Sequence, residues 1–201
     1  MDKILFINAC VRGISISRTY KIANRFLQEC KKLNPNCSIT ELTLTDLPIT
    51  CFSNDNLKNK EKLLEQGDYQ NPMFNLARQF ASASKIVIAA PFWEFSFPAI
   101  LKVYIENIAV LGITFTYNSD GMVGMCKAEK MLFITTRGGV FTEADTCELE
   151  MGSRYLEALC KMFGIDQYEC LYAEGLDIIG NNVDDIISEA IKKAINLAAE
   201  F

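Results

Sequence analysis

A chain of 201 residues is long enough for one well-buried domain and too short for two generous ones. Half of the residues are hydrophobic and 22% are charged, a balance that excludes wholesale disorder. A net charge of −5 with no basic run argues against nucleic-acid binding, and no apolar stretch approaches the ~20 residues of a membrane span.

The first strand is expected at Lys3–Asn8, with Ile4-Leu5-Phe6-Ile7 continuous. That apolar run of four residues is too short for a signal-peptide core of ~7–15 residues, so a cytoplasmic location is expected. The loop beyond it ends Ser15-Ile16-Ser17-Arg18 and opens a helix over Arg18–Leu33 with Ile22, Ala23, Phe26, Leu27 and Cys30 as its apolar stripe. A phosphomonoester suits a helix N-terminus, where unpaired N–H groups and the dipole favour an anion. Ser15 and Ser17 add hydroxyl donors and Arg12 or Arg18 adds charge; alternatively, one of the serines is simply the N-cap. The second strand, Ser38 to Leu44, is diluted by polar residues. A long polar stretch over Ser53 to Asn71 precedes a helix at Met73–Ala83.

The third strand, Lys85–Ala90, is unbroken, and Pro91-Phe92-Trp93-Glu94-Phe95-Ser96-Phe97-Pro98 follows it with four aromatics in eight residues. A Pro-bounded aromatic loop after a central strand fits the walls that a flat ring system needs better than it fits core packing. A helix over Phe97–Leu111 leads to a hairpin across Thr114–Met125, with Asp120-Gly121 as the turn. Phe115 and Tyr117 share one face of it and cover the crevice, meet a dimer partner or decorate a satellite hairpin. The fourth sheet strand, Lys130–Thr136, runs into Arg137-Gly138-Gly139-Val140-Phe141. Two glycines permit positive φ and close backbone approach; Arg137 lies by the ring or is a surface charge on the turn. A helix over Cys147–Phe163, a mixed strand over Gln167–Ala173 and a last helix over Val183–Ala199 complete the chain.

Strands alternate with helices, which indicates a parallel sheet covered on both faces. The first, third and fourth strands are solidly apolar, as central strands are; the second and fifth are mixed, as edges are. The order 2-1-3-4-5 follows, in a flavodoxin-like three-layer α/β sandwich forming a single domain over residues 1–201. Its switch-point crevice receives three loops, one suited to a phosphate, one aromatic and one glycine-rich, and this combination points to FMN.

There are no histidines, which removes Ser-His-Asp and Cys-His catalysis and histidine metal sites. The eight cysteines form no CxxC pair, so neither a metal knuckle nor a thioredoxin-like motif is expected, and Cys30 and Cys160 are expected as buried small hydrophobes.

Ser15-Ile16-Ser17, Ala90-Pro91-Phe92-Trp93-Glu94-Phe95, Leu101-Lys102, Gly112-Ile113-Thr114-Phe115, Thr136-Arg137-Gly138-Gly139 and Ala173-Glu174-Gly175 carry a resemblance that runs nearly end to end. The chain resembles the FMN-dependent NADH azoreductases, which are also quinone reductases, of the flavodoxin-like superfamily. The resemblance implies FMN held by Cys10, Ser15, Ile16, Ser17, Phe92, Trp93, Glu94, Phe95, Thr136, Arg137, Gly138 and Gly139, with Phe115 and Phe141 at the substrate pocket. It also implies a homodimer with NADH and a quinone or azo acceptor entering at the subunit interface. Two-electron transfer through the flavin needs no catalytic side chain, which suits a chain without histidine, and a single shared pocket predicts ping-pong kinetics. Cys10 stands where the family usually has serine, Glu94 replaces an asparagine, and Phe141 stands where histidine or tyrosine is frequent. The competing readings are a flavodoxin-type electron carrier serving a protein partner, and a flavin-free interaction protein.

Overall fold

A computed structural model describes residues 2–201. Five strands, β1 (Lys3–Asn8), β2 (Ser38–Thr43), β3 (Lys85–Ala89), β6 (Lys130–Thr136) and β7 (Gln167–Ala173), form one sheet in which every neighbouring pair is parallel. The hairpin strands β4 (Phe115–Asn118) and β5 (Gly121–Gly124) stand apart as a two-stranded antiparallel unit. The large sheet runs β2-β1-β3-β6-β7, so its five strands taken in chain order lie 2-1-3-4-5 and the direction of winding switches between β1 and β3.

Continuous apolar runs form β1, β3 and β6 because these strands are buried on both faces. Side chains alternate across a pleated strand. Ile4, Phe6, Val87, Leu132 and Ile134 meet α1 (Arg18–Leu33) and α6 (Val183–Ala198). Leu5, Ile7, Ile86, Ile88 and Phe133 meet α3 (Asn75–Ser82), α4 (Ala99–Ile108) and α5 (Gly152–Phe163). Cys30 and Cys160 are buried in these two layers as small hydrophobes, and all eight cysteines are free. Each fully buried aromatic such as Phe26 or Phe133 contributes roughly 1.5–3 kcal/mol by leaving water.

The polar stretch after Ser53 differs from expectation. Ser53 accepts the Asn56 N–H at 3.2 Å and starts a helix, α2 (Asn54–Glu65). No residue of α2 is fully buried; it rests Leu63 and Leu64 against a small cluster of Phe74, Ala77, Val110 and Ile113. The helix expected over 73–83 divides into a 3-10 turn, Pro72–Phe74, and α3, because Pro72 and the Asn71 cap start a tighter turn first. The helix expected to start at Phe97 starts at Ala99, after Pro98, and the one expected from Cys147 becomes a 3-10 turn, Cys147–Leu149, followed by α5.

The hairpin docks at the amino ends of the strands. Gly124 lies against Gly164, which ends α5 in the left-handed region at φ 76°; a Cβ on residue 124 would fall 1.9 Å from the Gly164 nitrogen. Cys126 N–H donates to the Phe163 carbonyl at 3.1 Å, which fixes the exit of the hairpin there. Among the described residues no helix is long and apolar enough to cross a membrane.

Candidate functional site

β1 and β3 end side by side at Asn8 and Ala89, and β6, whose Ile134 pairs with Ala89, runs on to Thr136. The loops beyond them enclose a crevice of ≈ 260 Å³ whose walls come from all three and from the loop after β7. In an open α/β sheet this position, outside the carboxyl ends at the switch of strand order, is where ligands bind.

The first wall is built around the start of α1. Asn8 pins the loop: its Oδ1 accepts the Cys10 N–H at 3.0 Å and its Nδ2 donates to Glu41 Oε1 at 3.0 Å. Ser17 is the N-cap, with Oγ accepting the Tyr20 N–H at 3.1 Å. The cap reading of Ser17 therefore holds, and its hydroxyl hydrogen stays available to a ligand. Among the described residues the backbone N–H groups of Arg18 and Thr19 have no backbone acceptor, and both residues line the crevice. Arg12 and Arg18 line it too, so this wall carries two cations and two free amide donors, a set that suits an anion. Burial pushes the Cys10 thiol up to about 11, and its Sγ lies 3.7 Å from the Ala89 carbonyl oxygen, a weak donor to it.

The aromatic wall is Phe92 and Trp93, followed by a tight turn. Trp93 and Ser96 exchange both backbone bonds, at 3.2 and 2.8 Å. The two central residues, Glu94 at φ 43° and Phe95 at φ 63°, lie in the left-handed region, where non-glycine side chains cost about 1–3 kcal/mol. The turn is held from outside: the Phe95 carbonyl accepts the Met151 N–H at 2.9 Å. The N–H groups of Glu94 and Phe95 have no backbone acceptor among the described residues. They are donors at the edge of the aromatic wall.

The third wall departs from expectation at its glycines and excludes one of the two readings of Arg137. Neither Gly138 nor Gly139 adopts a positive φ. Gly138 is small because Asp177 packs over it, and a Cβ there would lie 2.5 Å from Asp177 Oδ2. Arg137 is not a surface charge: its side chain is 3% exposed and lies between two carboxylates, with Nη2 3.5 Å from Glu150 Oε1 and Nη1 3.4 Å from Glu174 Oε2. The guanidinium also sits over the Tyr172 and Phe92 rings, 4.8 and 5.7 Å from their centroids. Glu150 caps α5 through the Ser153 N–H, and Glu174 accepts the Phe141 N–H at 3.0 Å and pairs with the Thr142 hydroxyl. Arg137 thus ties the aromatic wall, the glycine loop and the start of α5 into one body. Its Nε is buried with no partner.

Of the residues singled out in the sequence, Cys10, Ile16, Ser17, Phe92, Trp93, Thr136, Arg137 and Gly138 share the crevice. Ser15 is exposed and borders a neighbouring hollow with Tyr20, Lys21 and Asn24. Gly139 pairs with the loop after β7, its carbonyl accepting the Gly175 N–H at 2.9 Å. Phe141 stacks at a tilt on Phe92 with centroids 4.5 Å apart. Phe115 is a correction within one chain: its hairpin lies at the opposite end of the sheet, and Phe115 packs edge-on against Tyr117 rather than at the crevice. Sequence reasoning passed over Thr19, Leu176 and Asp177, all on the crevice wall, because a lone threonine inside a helix and an aspartate in a short loop carry no periodic signal.

A family description, flavodoxin-like fold, matches residues 2–197. The FMN-dependent NADH:quinone oxidoreductase 2 of Clostridium acetobutylicum is 41% identical over 202 residues, covering 100% of both chains. The FMN-dependent NADH:quinone oxidoreductase of Clostridium perfringens is 40% identical over 201 residues, again covering 100% of both. An azoreductase from Bacillus anthracis superposes with a TM-score of 0.90 at 27% identity over 100% of each chain. An FMN-dependent NADH-azoreductase from the same species, in complex with FMN, gives 0.89 at 27% identity over 100% of this chain and 99% of its own. With the crevice at the β1/β3 switch and the match from residue 2 to residue 197, the chain belongs to the flavodoxin-like fold family.

Proposed function

We propose that the protein is an FMN-dependent NADH:quinone oxidoreductase that also reduces azo compounds. One observation carries the reading: three loops from the carboxyl ends of β1, β3 and β6 converge on a single crevice that offers amide donors without acceptors, two arginines and an aromatic wall. That donor set suits FMN, a dianionic phosphate joined to a flat ring with carbonyl edges. Full-length relatives at about 40% identity bear the same activity in their names.

On this reading the start of α1, with Arg12, Arg18 and the Ser17 hydroxyl, holds the phosphate, and the Cys10 thiol stays protonated beside it. Phe92 and Trp93 flank the ring, and the N–H groups of Glu94, Phe95, Gly138 and Gly139 are the donors available to its edges. Arg137 acts at one remove by fixing Phe92 and the glycine loop, and Phe141 packs on Phe92 at the mouth. Bound FMN supplies two-electron hydride acceptance and return, chemistry that no side chain of this chain provides. The protein orients donor and acceptor and excludes bulk water from the ring face. With no histidine in the chain and no titratable group at Phe141, protons reach the product from water.

One crevice serves NADH and the acceptor in turn, so steady-state kinetics are ping-pong. The functional unit is a homodimer in the cytoplasm. The exposed apolar residues of the hairpin, Tyr117, Met122 and Val123, support an interface between copies, and Phe115 meets substrate only at a partner's crevice. The test is an absorbance spectrum of the purified protein followed by anaerobic NADH. A flavin band that bleaches and returns with quinone is the expected result. A protein that stays colourless after incubation with FMN overturns the reading, and a stabilised one-electron form with negligible NADH turnover identifies a carrier instead.

A further inference from the structure

The phosphate end of the crevice carries a carboxylate. Arg18 is the first residue of α1, whose first turn contains no acidic side chain, an arrangement the helix dipole opposes. The missing negative charge arrives from another element. Asp177, in the loop after β7, places Oδ1 3.0 Å from Arg18 Nη2, and the neighbouring Leu176 carbonyl accepts from Arg18 Nη1 at 3.4 Å. Asp177 is held in place: its N–H donates to the Gly138 carbonyl at 2.9 Å, and its carboxylate occupies the space that a side chain on residue 138 would take. Gly138 is therefore the condition for an anion at this point. Arg18 and Asp177 both line the same crevice as Ser17, Thr19 and Arg12.

We propose that Asp177 is a resident anion that competes with the ligand's phosphomonoester for Arg18, and so sets how tightly the site holds a phosphorylated flavin. The inference rests on the FMN reading given above. Arg18 is the same cation for both, and the fork of its guanidinium is already turned to the Asp177 loop. The ion pair is half open to water, with side chains 35% and 66% exposed, and such pairs are weak. A phosphate with nearly two negative charges displaces a single carboxylate from a shared arginine, but it must first break that contact and then stand near the carboxylate it displaced. The consequence is a cofactor site detuned by its own acid, with selectivity expressed on the phosphate and not on the ring.

The experiment is equilibrium titration of the full chain, stripped of flavin, with FMN and with riboflavin, read by flavin fluorescence at low salt. Asp177→Asn keeps the shape over Gly138 and removes the charge. It is expected to bind FMN about tenfold more tightly while riboflavin changes by less than about twofold. In an Arg18→Gln background the gain from Asp177→Asn is expected to shrink below about threefold, because the shared cation is gone. Weaker FMN binding by Asp177→Asn overturns the proposal and makes Asp177 a positioning residue for Arg18. Equal gains for FMN and riboflavin, or equal gains with and without Arg18, overturn it as well. If the unaltered chain binds neither flavin, the FMN reading itself fails, a result distinct from the others. Unchanged thermal midpoints and circular dichroism of the variants exclude misfolding as the cause of any difference.

Discussion

The hydroxyls of Thr19 and Thr136 lie 2.6 Å apart, and both residues are buried. One belongs to the first turn of α1 and the other ends β6, so this bond fastens two walls of the crevice together. Changing either threonine to valine leaves the other hydroxyl buried and unpaired, which costs about 1–3 kcal/mol. Changing both removes the mismatch and is expected to be nearer neutral in stability. Urea unfolding of the two single variants and the double variant checks this; equal losses that simply add would show that the hydroxyls do not depend on one another.

Arg137 neutralises part of the charge of a buried glutamate, Glu150, and a partly buried one, Glu174. Arg137→Met leaves Glu150 and Glu174 without their cation and is expected to cost about 3–5 kcal/mol. Arg137→Met combined with Glu150→Gln should recover part of that loss, since one uncompensated charge is gone. The denaturation midpoints measure both, and a single variant as stable as the parent would show that the triad is not an energetic pin.

Glu94 combines an unfavourable φ with a charge beside the proposed ring. Glu94→Gly removes the backbone strain and is expected to raise stability by about 0.5–1 kcal/mol. Glu94→Asn also removes a carboxylate that opposes the extra negative charge of a reduced flavin, so the midpoint potential should rise by on the order of 30 mV. A potentiometric titration that finds no change places the carboxylate away from the ring.

Burial raises five thiols from 9.0: Cys10 and Cys170 to about 11, and Cys30, Cys126 and Cys160 to about 12. In the unfolded chain these thiols lose protons near 9, while the folded chain keeps them. Above that pH the unfolded state binds fewer protons, so stability falls as pH rises, by at most about 1.4 kcal/mol per pH unit for each thiol. Below it the contribution is constant. Unfolding midpoints followed from neutral pH into alkali should therefore drop, and at neutral pH the exposed Cys51 and Cys147 should be alkylated well before Cys10.

Much of the architecture was legible because central and edge strands differ in composition. The continuous runs Ile4–Ile7, Ile86–Ala89 and Met131–Ile134 need cover on both faces, and the Arg18–Leu33 stripe supplies part of it. α2 was not legible: with only Leu57, Leu63 and Leu64 apolar, its sequence looks like a solvated loop, although the Ser53 cap and Asp55 in its first turn mark a start. At the site, the residue types were readable and their partners were not. Arg137 could be placed near the crevice from its loop. Its burial depends on Glu150 and Glu174, which are distant in sequence and meet it only through the fold. The same holds for Gly138, where the turn motif pointed to backbone freedom and the three-dimensional reason is the bulk of Asp177.

Because α2 leans on its neighbours with only half-covered leucines, it is loosely bound to the rest of the molecule. Its amides should trade hydrogen with solvent orders of magnitude faster than those of the central strands, and a protease should nick the chain there first. The sheet would outlast that breathing intact, since nothing in the crevice leans on the segment that opens.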